Sequence, residues 1–197
     1  MTNFDKQDFW IVSDLHLGHP LITAKRGFST ENEHDLAVLS PLYEVPEGST
    51  LVCLGDISVR KDEFALKKLL ALKSAKNLRM ILTPGNHDAC HPKFGIDAAF
   101  EWMPRYQQVF DLVVLEFYLR YQGKNVLFTH IPRLEDPFRG PKLDRWIARD
   151  GFDCVVHGHT HSSVPIDRQH VNVCLEATGL KPLHSSDLWP LVEKASA

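Results

Sequence analysis

The sequence predicts an α/β domain built on layered sheets, and three observations carry that reading. Short apolar runs of about five residues, rich in β-branched and large side chains, recur along the chain. Helical patterns separate the early runs, whereas the later runs follow one another. Five runs end on Asp, Asn or His, the place where open α/β sheets bind ligands.

In chain order, Trp10 to Ser13, Thr50 to Leu54 and Arg79 to Thr83 read as buried strands. Between the last two, Lys61 to Lys76 reads as a helix, with Phe64, Leu66, Leu69, Leu70 and Leu72 on an apolar stripe and lysines elsewhere. Val109 to Tyr121 and Asn125 to Thr129 read as two strands joined by a tight turn at Gln122-Gly123. Leu143 to Arg149 is a short candidate helix. Cys154 to His157 and Val171 to Leu175 are further strands, and Ser185 or Ser186 is expected to cap a helix through Leu191. Residues 1–197 are read as one domain.

Composition narrows the function. The net charge of −3 argues against a generic nucleic-acid or membrane-surface binder. No apolar run approaches the roughly 18 residues that span a bilayer. The N-terminus, MTNFDKQDFW, lacks the apolar core of a signal peptide. Cys53, Cys90, Cys154 and Cys174 are scattered and form no C-x-x-C pair, so they read as buried thiols in a cytoplasmic protein. Eleven histidines are the compositional excess.

Those histidines cluster at strand ends. The first strand runs into Asp14-Leu15-His16, the second into Gly55-Asp56 and the third into Gly85-Asn86-His87-Asp88. The fourth runs into His130, and the fifth into His157-Gly158-His159-Thr160-His161. In extended chain, Asp14 and His16 share a face, as do His159 and His161. Mixed carboxylate and imidazole suit Mn, Fe, Zn or Co better than Ca or Mg. Asp14, His16, Asp56, Asn86, His130, His159 and His161 are too many ligands for one tetrahedral ion. They suit two adjacent ions, about 3.5–4 Å apart and sharing a carboxylate, the arrangement used for displacement at phosphorus.

Taken together, Asp14-Leu15-His16, Gly55-Asp56, Gly85-Asn86-His87-Asp88, Thr129-His130 and Gly158-His159-Thr160-His161 resemble the full signature of the calcineurin-like metallophosphoesterases, in family order. Asn172 to Glu176 is similar to the closing strand of the small bacterial and phage members. The resemblance implies a four-layer α/β/β/α sandwich with two divalent metal ions. Manganese is the first choice, with Fe, Zn, Co or Ni as alternatives. It implies one metal on Asp14, His16, Asp56 and His161, and the other on Asp56, Asn86, His130 and His159, with Asp56 bridging. A metal-bridging hydroxide would then hydrolyse a phosphate mono- or diester. By the same resemblance His87 is the catalytic acid, and Asp88 would fix its tautomer and raise its pKa.

Arg60 and Arg133, just past two of the motifs, are candidate phosphate clamps, and His19 is a candidate for the site mouth. His157 reads as a strand or supporting residue. His34, His91, His170 and His184 read as surface or packing residues. The expected partner is a small phosphoester rather than nucleic acid or a membrane; oligomeric state is not legible. Two alternatives remain: a nuclease, which typically carries a further domain, and a non-catalytic scaffold, which typically loses ligands. The acid run Glu31 to Glu47 and the basic run Arg60 to Arg79 decide nothing alone. After Asp56 this chain has Ile57, Ser58, Val59 and Arg60, where many relatives place an acid.

Overall fold

Strand β1 (Phe9–Val12) turns Phe9 and Ile11 to one side and Trp10 and Val12 to the other, and this alternation sorts the core. The computed structural model describes residues 8–134 and 140–197. The N-terminal stretch read against a signal peptide therefore lies almost wholly outside the described residues.

Strand β1 pairs in parallel with β2 (Thr50–Cys53), β2 with β3 (Arg79–Leu82) and β3 with β4 (Leu112–Val113). An antiparallel edge strand, β10 (Leu183–His184), completes this sheet. The second sheet runs in the order β5 (Glu116–Tyr121), β6 (Lys124–Thr129), β7 (Cys154–His157), β9 (His170–Asn172), β8 (Ile166–Asp167). The sheets face one another across Phe9, Ile11, Val52 and Leu54 on one side and Phe128, Val156 and Val171 on the other. Truncating Phe128 to Ala there would cost about 3–5 kcal/mol. Helices flank the pair of sheets. The outer face of the first meets α2 (Glu31–Tyr43) and α3 (Asp62–Lys76), through Val38, Leu42, Leu69 and Leu72 against Val12, Leu51 and Met80. The C-terminal helix α6 (Ser185–Ala195) packs Leu188 and Val192 into the inter-sheet core.

Several elements depart from the sequence reading. Helix α1 (Pro20–Lys25), α2 and α4 (Ile96–Tyr106) were not anticipated. The acid run is α2, whose N-terminus carries a capping box between Thr30 and Glu33. The strand expected over Val109 to Tyr121 is two strands, β4 in the first sheet and β5 in the second, because the chain changes sheets between them. The Gln122-Gly123 turn holds, with both φ angles positive (47° and 83°) as a tight hairpin requires. The strand expected through Leu175 stops at Asn172, whose Oδ1 accepts from the Cys174 amide at 2.9 Å; Leu175–Thr178 is a short helix, α5. Leu143 to Arg149 is a 3-10 turn (Pro141–Trp146) led by Pro141 rather than an α-helix. Helix α6 is capped by His184 and not by either serine.

Register places the functional loops together. Val12 pairs with Cys53 and Cys53 with Leu82, so β1, β2 and β3 end level. Phe128 pairs with Val156 and Val156 with Val171 in the second sheet. A bridge between Ser13 and Cys174 ties the two sheets at this edge.

Candidate metal centre

The polar residues at the strand ends do not continue as extended chain. Asp14 and His16 have φ of 61° and 48°, Asp56 has 54°, and His159 and His161 have 73° and 49°. Such left-handed backbone costs on the order of 1–3 kcal/mol per residue and concentrates at functional sites. The first loop is pinned to the second, with the Asp14, His16 and Leu17 amides donating to the carbonyls of Gly55, Asp56 and Ile57. The shared face expected from strand alternation is therefore reached by coiling. For His159 and His161 it is not shared: His161 joins Asp14 and His16, while the His159 ring lies 5.2 Å from that of His130.

Two glycines permit this closeness. A Cβ on Gly85 would overlap the Asp56 carboxylate, and one on Gly158 would overlap Ser13 Oγ and Asp14 Oδ2. Neither site tolerates a side chain without displacing a carboxylate.

Among the described residues, two groups of candidate ligand atoms converge, Asp14 with His16 and His161, and Asp14 with Asp56 and His130. His16 Nε2 lies 3.6 Å from Asp14 Oδ1 and 3.0 Å from His161 Nε2, and His161 Nε2 lies 3.5 Å from Asp14 Oδ1. Asp56 Oδ2 is 3.8 Å from His16 Nε2 and 3.4 Å from His130 Nε2, and Asn86 Oδ1 is 3.1 Å from the latter. Asp14, His16, Asp56, Asn86 and His130 are all buried. Asp14 Oδ1 has no hydrogen-bond partner among the described residues. A buried, unpartnered carboxylate oxygen beside two imidazoles fits a divalent cation, which would satisfy it.

The electrostatics agree. Burial opposes ionisation of Asp14, but contact with His16 and the fields of His130 and His161 hold it well below the usual range. Asp56 is likewise lowered against burial, chiefly by His130. Conversely, burial opposes charge on His130, but Asp56 raises it to about 9. A divalent cation competes with that proton for the same lone pair. The second ring nitrogen of His130 contacts the Leu54 carbonyl at 2.6 Å, which orients the ring.

The remaining candidates fall in different places. His87 is exposed at the edge of the cluster, its ring 5.9 Å from that of His16 and its amide donating to Asp56 Oδ1 at 2.8 Å. Asp88 does not orient it. The Asp88 carboxylate accepts from the amides of Asp56, Ile57 and Gly85 at 2.9, 3.0 and 2.7 Å, so it organises the loop backbones. Nor is the His87 pKa raised: desolvation lowers it, with Asp56 opposing. His19 is half-buried beside His16, ring to ring 5.7 Å. Arg60 is exposed with no ion pair among the described residues, and Arg133 is taken by an ion pair with Asp150. Part of the insert Arg133 to Asp150, residues 135–139, lies outside the described residues. His157 is a buried strand residue whose Nδ1 donates to the Gly158 carbonyl at 2.7 Å. Of the histidines read as surface or packing residues, His34, His91 and His170 are buried and so fall on the packing side, and all four cysteines are free and buried.

Sequence reasoning missed Glu176 and Arg26. Glu176 Oε1 accepts from His161 Nδ1 at 2.9 Å and from Arg26 Nε at 3.0 Å. Arg26 also donates to the Asp14 and Leu15 carbonyls at 2.7 and 3.2 Å. Cys174 Sγ donates to Asp14 Oδ2 at 3.2 Å. A lone acid closing an apolar strand pattern was the available signal for Glu176; Arg26 had none.

The family model for calcineurin-like phosphoesterases matches residues 8–163. The chain is 28% identical over 183 residues to the Gene 66 protein of Mycobacterium phage L5, covering 86% of this chain and 87% of that one. It is 33% identical over 165 residues to the Gene 66 protein of Mycobacterium phage D29, covering 79% of each. A solved structure of a protein of unknown function from Aquifex aeolicus superposes with a TM-score of 0.67 at 22% identity, over 94% of this chain and 100% of that one. The last likeness is one of fold.

Proposed function

The chain belongs to the calcineurin-like phosphoesterase family, and from that premise we propose that it hydrolyses small phosphate mono- or diesters with two divalent cations, manganese first among them. Asp14, His16, Asp56 and His161 would hold one, and Asp56, Asn86, His130 and His159 the other. One observation carries the pairing: Asp56 Oδ2 lies between His16 Nε2 and His130 Nε2, at 3.8 and 3.4 Å, which suits a bridging ligand. Bound there, the cations would lower the pKa of a coordinated water and neutralise phosphate oxygens.

The protein's own groups supply the rest. The Asp56 carboxylate holds the His87 amide, which fixes the His87 backbone at the edge of the cluster. There the imidazole stands exposed, where it can deliver a proton to a departing alkoxide. Burial of Asp14, Asp56 and His130 removes water from around the ligands, which strengthens every charge interaction in the site.

The test is cleavage of p-nitrophenyl phosphate and bis-p-nitrophenyl phosphate by manganese-loaded protein, alongside elemental analysis. His87→Ala is expected to keep both metals and lose most of kcat, and Asp56→Ala to lose metal. Metal-loaded protein inert on both esters points instead to a binding scaffold, and preference for DNA over both points to a nuclease. Loss of metal from His87→Ala would overturn its role as proton donor.

A further inference from the structure

The side chain of Arg26, at the C-cap of α1, is 4% exposed, yet every nitrogen of its guanidinium is engaged. Nη2 donates to the Asp14 carbonyl at 2.7 Å and Nη1 to the Leu15 carbonyl at 3.2 Å. Nε and Nη2 both reach Glu176 Oε1, at 3.0 and 2.9 Å. Nη1 also faces His34 Nε2 at 3.0 Å. A guanidinium can only donate, so His34 accepts there and carries its proton on Nδ1. That proton goes to Asp35 Oδ1 at 3.1 Å, the oxygen that also accepts from the Gly18 amide at 2.8 Å.

These contacts fall on one side of the centre. The Asp14 and Leu15 carbonyls belong to the peptide units that join Asp14 to His16, both in left-handed backbone. Gly18 closes the same loop, and Glu176 orients the His161 ring. Separate contacts hold the other group. His130 is set by the Leu54 carbonyl, Asn86 Oδ1 meets His130 Nε2, and Asp56 Oδ1 accepts from the His87 amide. Asp14 is common to both groups. Its Oδ2 accepts from the His159 amide at 2.9 Å and from Cys174 Sγ at 3.2 Å, so its carboxylate is held without Arg26.

We propose that Arg26 is a positioning residue for one metal position, that of Asp14, His16 and His161, and that the position built on Asn86 and His130 forms without it. The proposal rests on the two-ion reading and deepens it, because it separates the ions by what holds their ligands. Lysine is no substitute: a point charge on a flexible stem cannot bridge two carbonyls, a carboxylate and an imidazole at once.

Equilibrium dialysis against manganese, with elemental analysis, counts the ions and gives each affinity. The parent chain should bind two. Arg26→Lys should bind one at the parental affinity and the other at least about tenfold more weakly. In a His130→Ala background, Arg26→Lys should weaken the remaining ion by a similar factor; in a His161→Ala background it should leave the remaining ion unchanged. Should Arg26→Lys fail to fold, Glu176→Ala takes its place with the same expected selectivity. Equal weakening of both ions, weakening of neither, or a parent chain that binds one ion overturns the assignment. The dialysis is read without substrate, so inactivity on phosphoesters would remove the phosphoesterase reading and leave this assignment standing.

Discussion

His161 donates from Nδ1 to Glu176 Oε1 at 2.9 Å, which leaves the Nε2 lone pair facing Asp14 Oδ1 at 3.5 Å. A carboxylate can only accept, so this contact sets the tautomer. Arg26 holds Glu176 in turn and lowers its pKa to about 2 together with His161, against the effect of burial.

Removing that carboxylate frees the ring to rotate and to change tautomer. Glu176→Ala should weaken metal binding about 10–100-fold with the fold intact. Equilibrium dialysis against a competing chelator reads this directly; unchanged affinity would mean that the contact is only structural.

Asp88 predicts a stability effect. Its carboxylate accepts three buried amide hydrogens from two loops. Asp88→Ala would strand all three, at about 1–3 kcal/mol each. Urea unfolding should show a loss of several kcal/mol, about 3 or more on that scale. A loss confined to kcat, with the midpoint unmoved, would restore Asp88 to a direct part in catalysis.

Glycine substitutions separate space from flexibility. Gly158→Ala places a methyl group on Ser13 and Asp14, whereas Gly140 has φ of −69° and nothing within 4 Å of its missing Cβ. The first variant should lose metal binding or soluble expression, and Gly140→Ala should match the parent in both. Full metal occupancy in Gly158→Ala would contradict the packing described for that loop.

His91, which is not among the candidate ligands, predicts a pH dependence of stability. Burial, with His130 and Lys93 nearby, lowers its pKa to about 4. The free side chain titrates near ~6.5. Between these values the unfolded chain binds a proton that the folded chain lacks, so stability rises with pH across that window. Above it neither state is protonated and below it both are. The contribution is at most about 3 kcal/mol. His91→Asn keeps an acceptor for the Lys93 amide and should flatten the profile between pH 4 and 6.5, read as urea midpoints. Identical profiles for parent and variant would refute the depressed pKa.

The sequence by itself determined the α/β class, the core strands and the seven candidate ligands. Strand runs are short and apolar enough to recognise locally, and the candidate ligands follow them directly in the chain. Helices α1, α2, α4 and the short α5 escaped it. In α2, Val38, Leu39 and Leu42 alternate with buried His34 and Asp35, so no clean apolar stripe exists. Tertiary structure decided where β4 and β5 part, since sheet membership depends on which neighbour supplies hydrogen bonds, and that neighbour is distant in sequence. It also decided the division of His159 from His161, because the left-handed backbone at both positions abolishes strand alternation. Glu176 meets His161 from 15 residues further on, and Arg26 meets Glu176 across 150 residues, through contacts that no local pattern encodes.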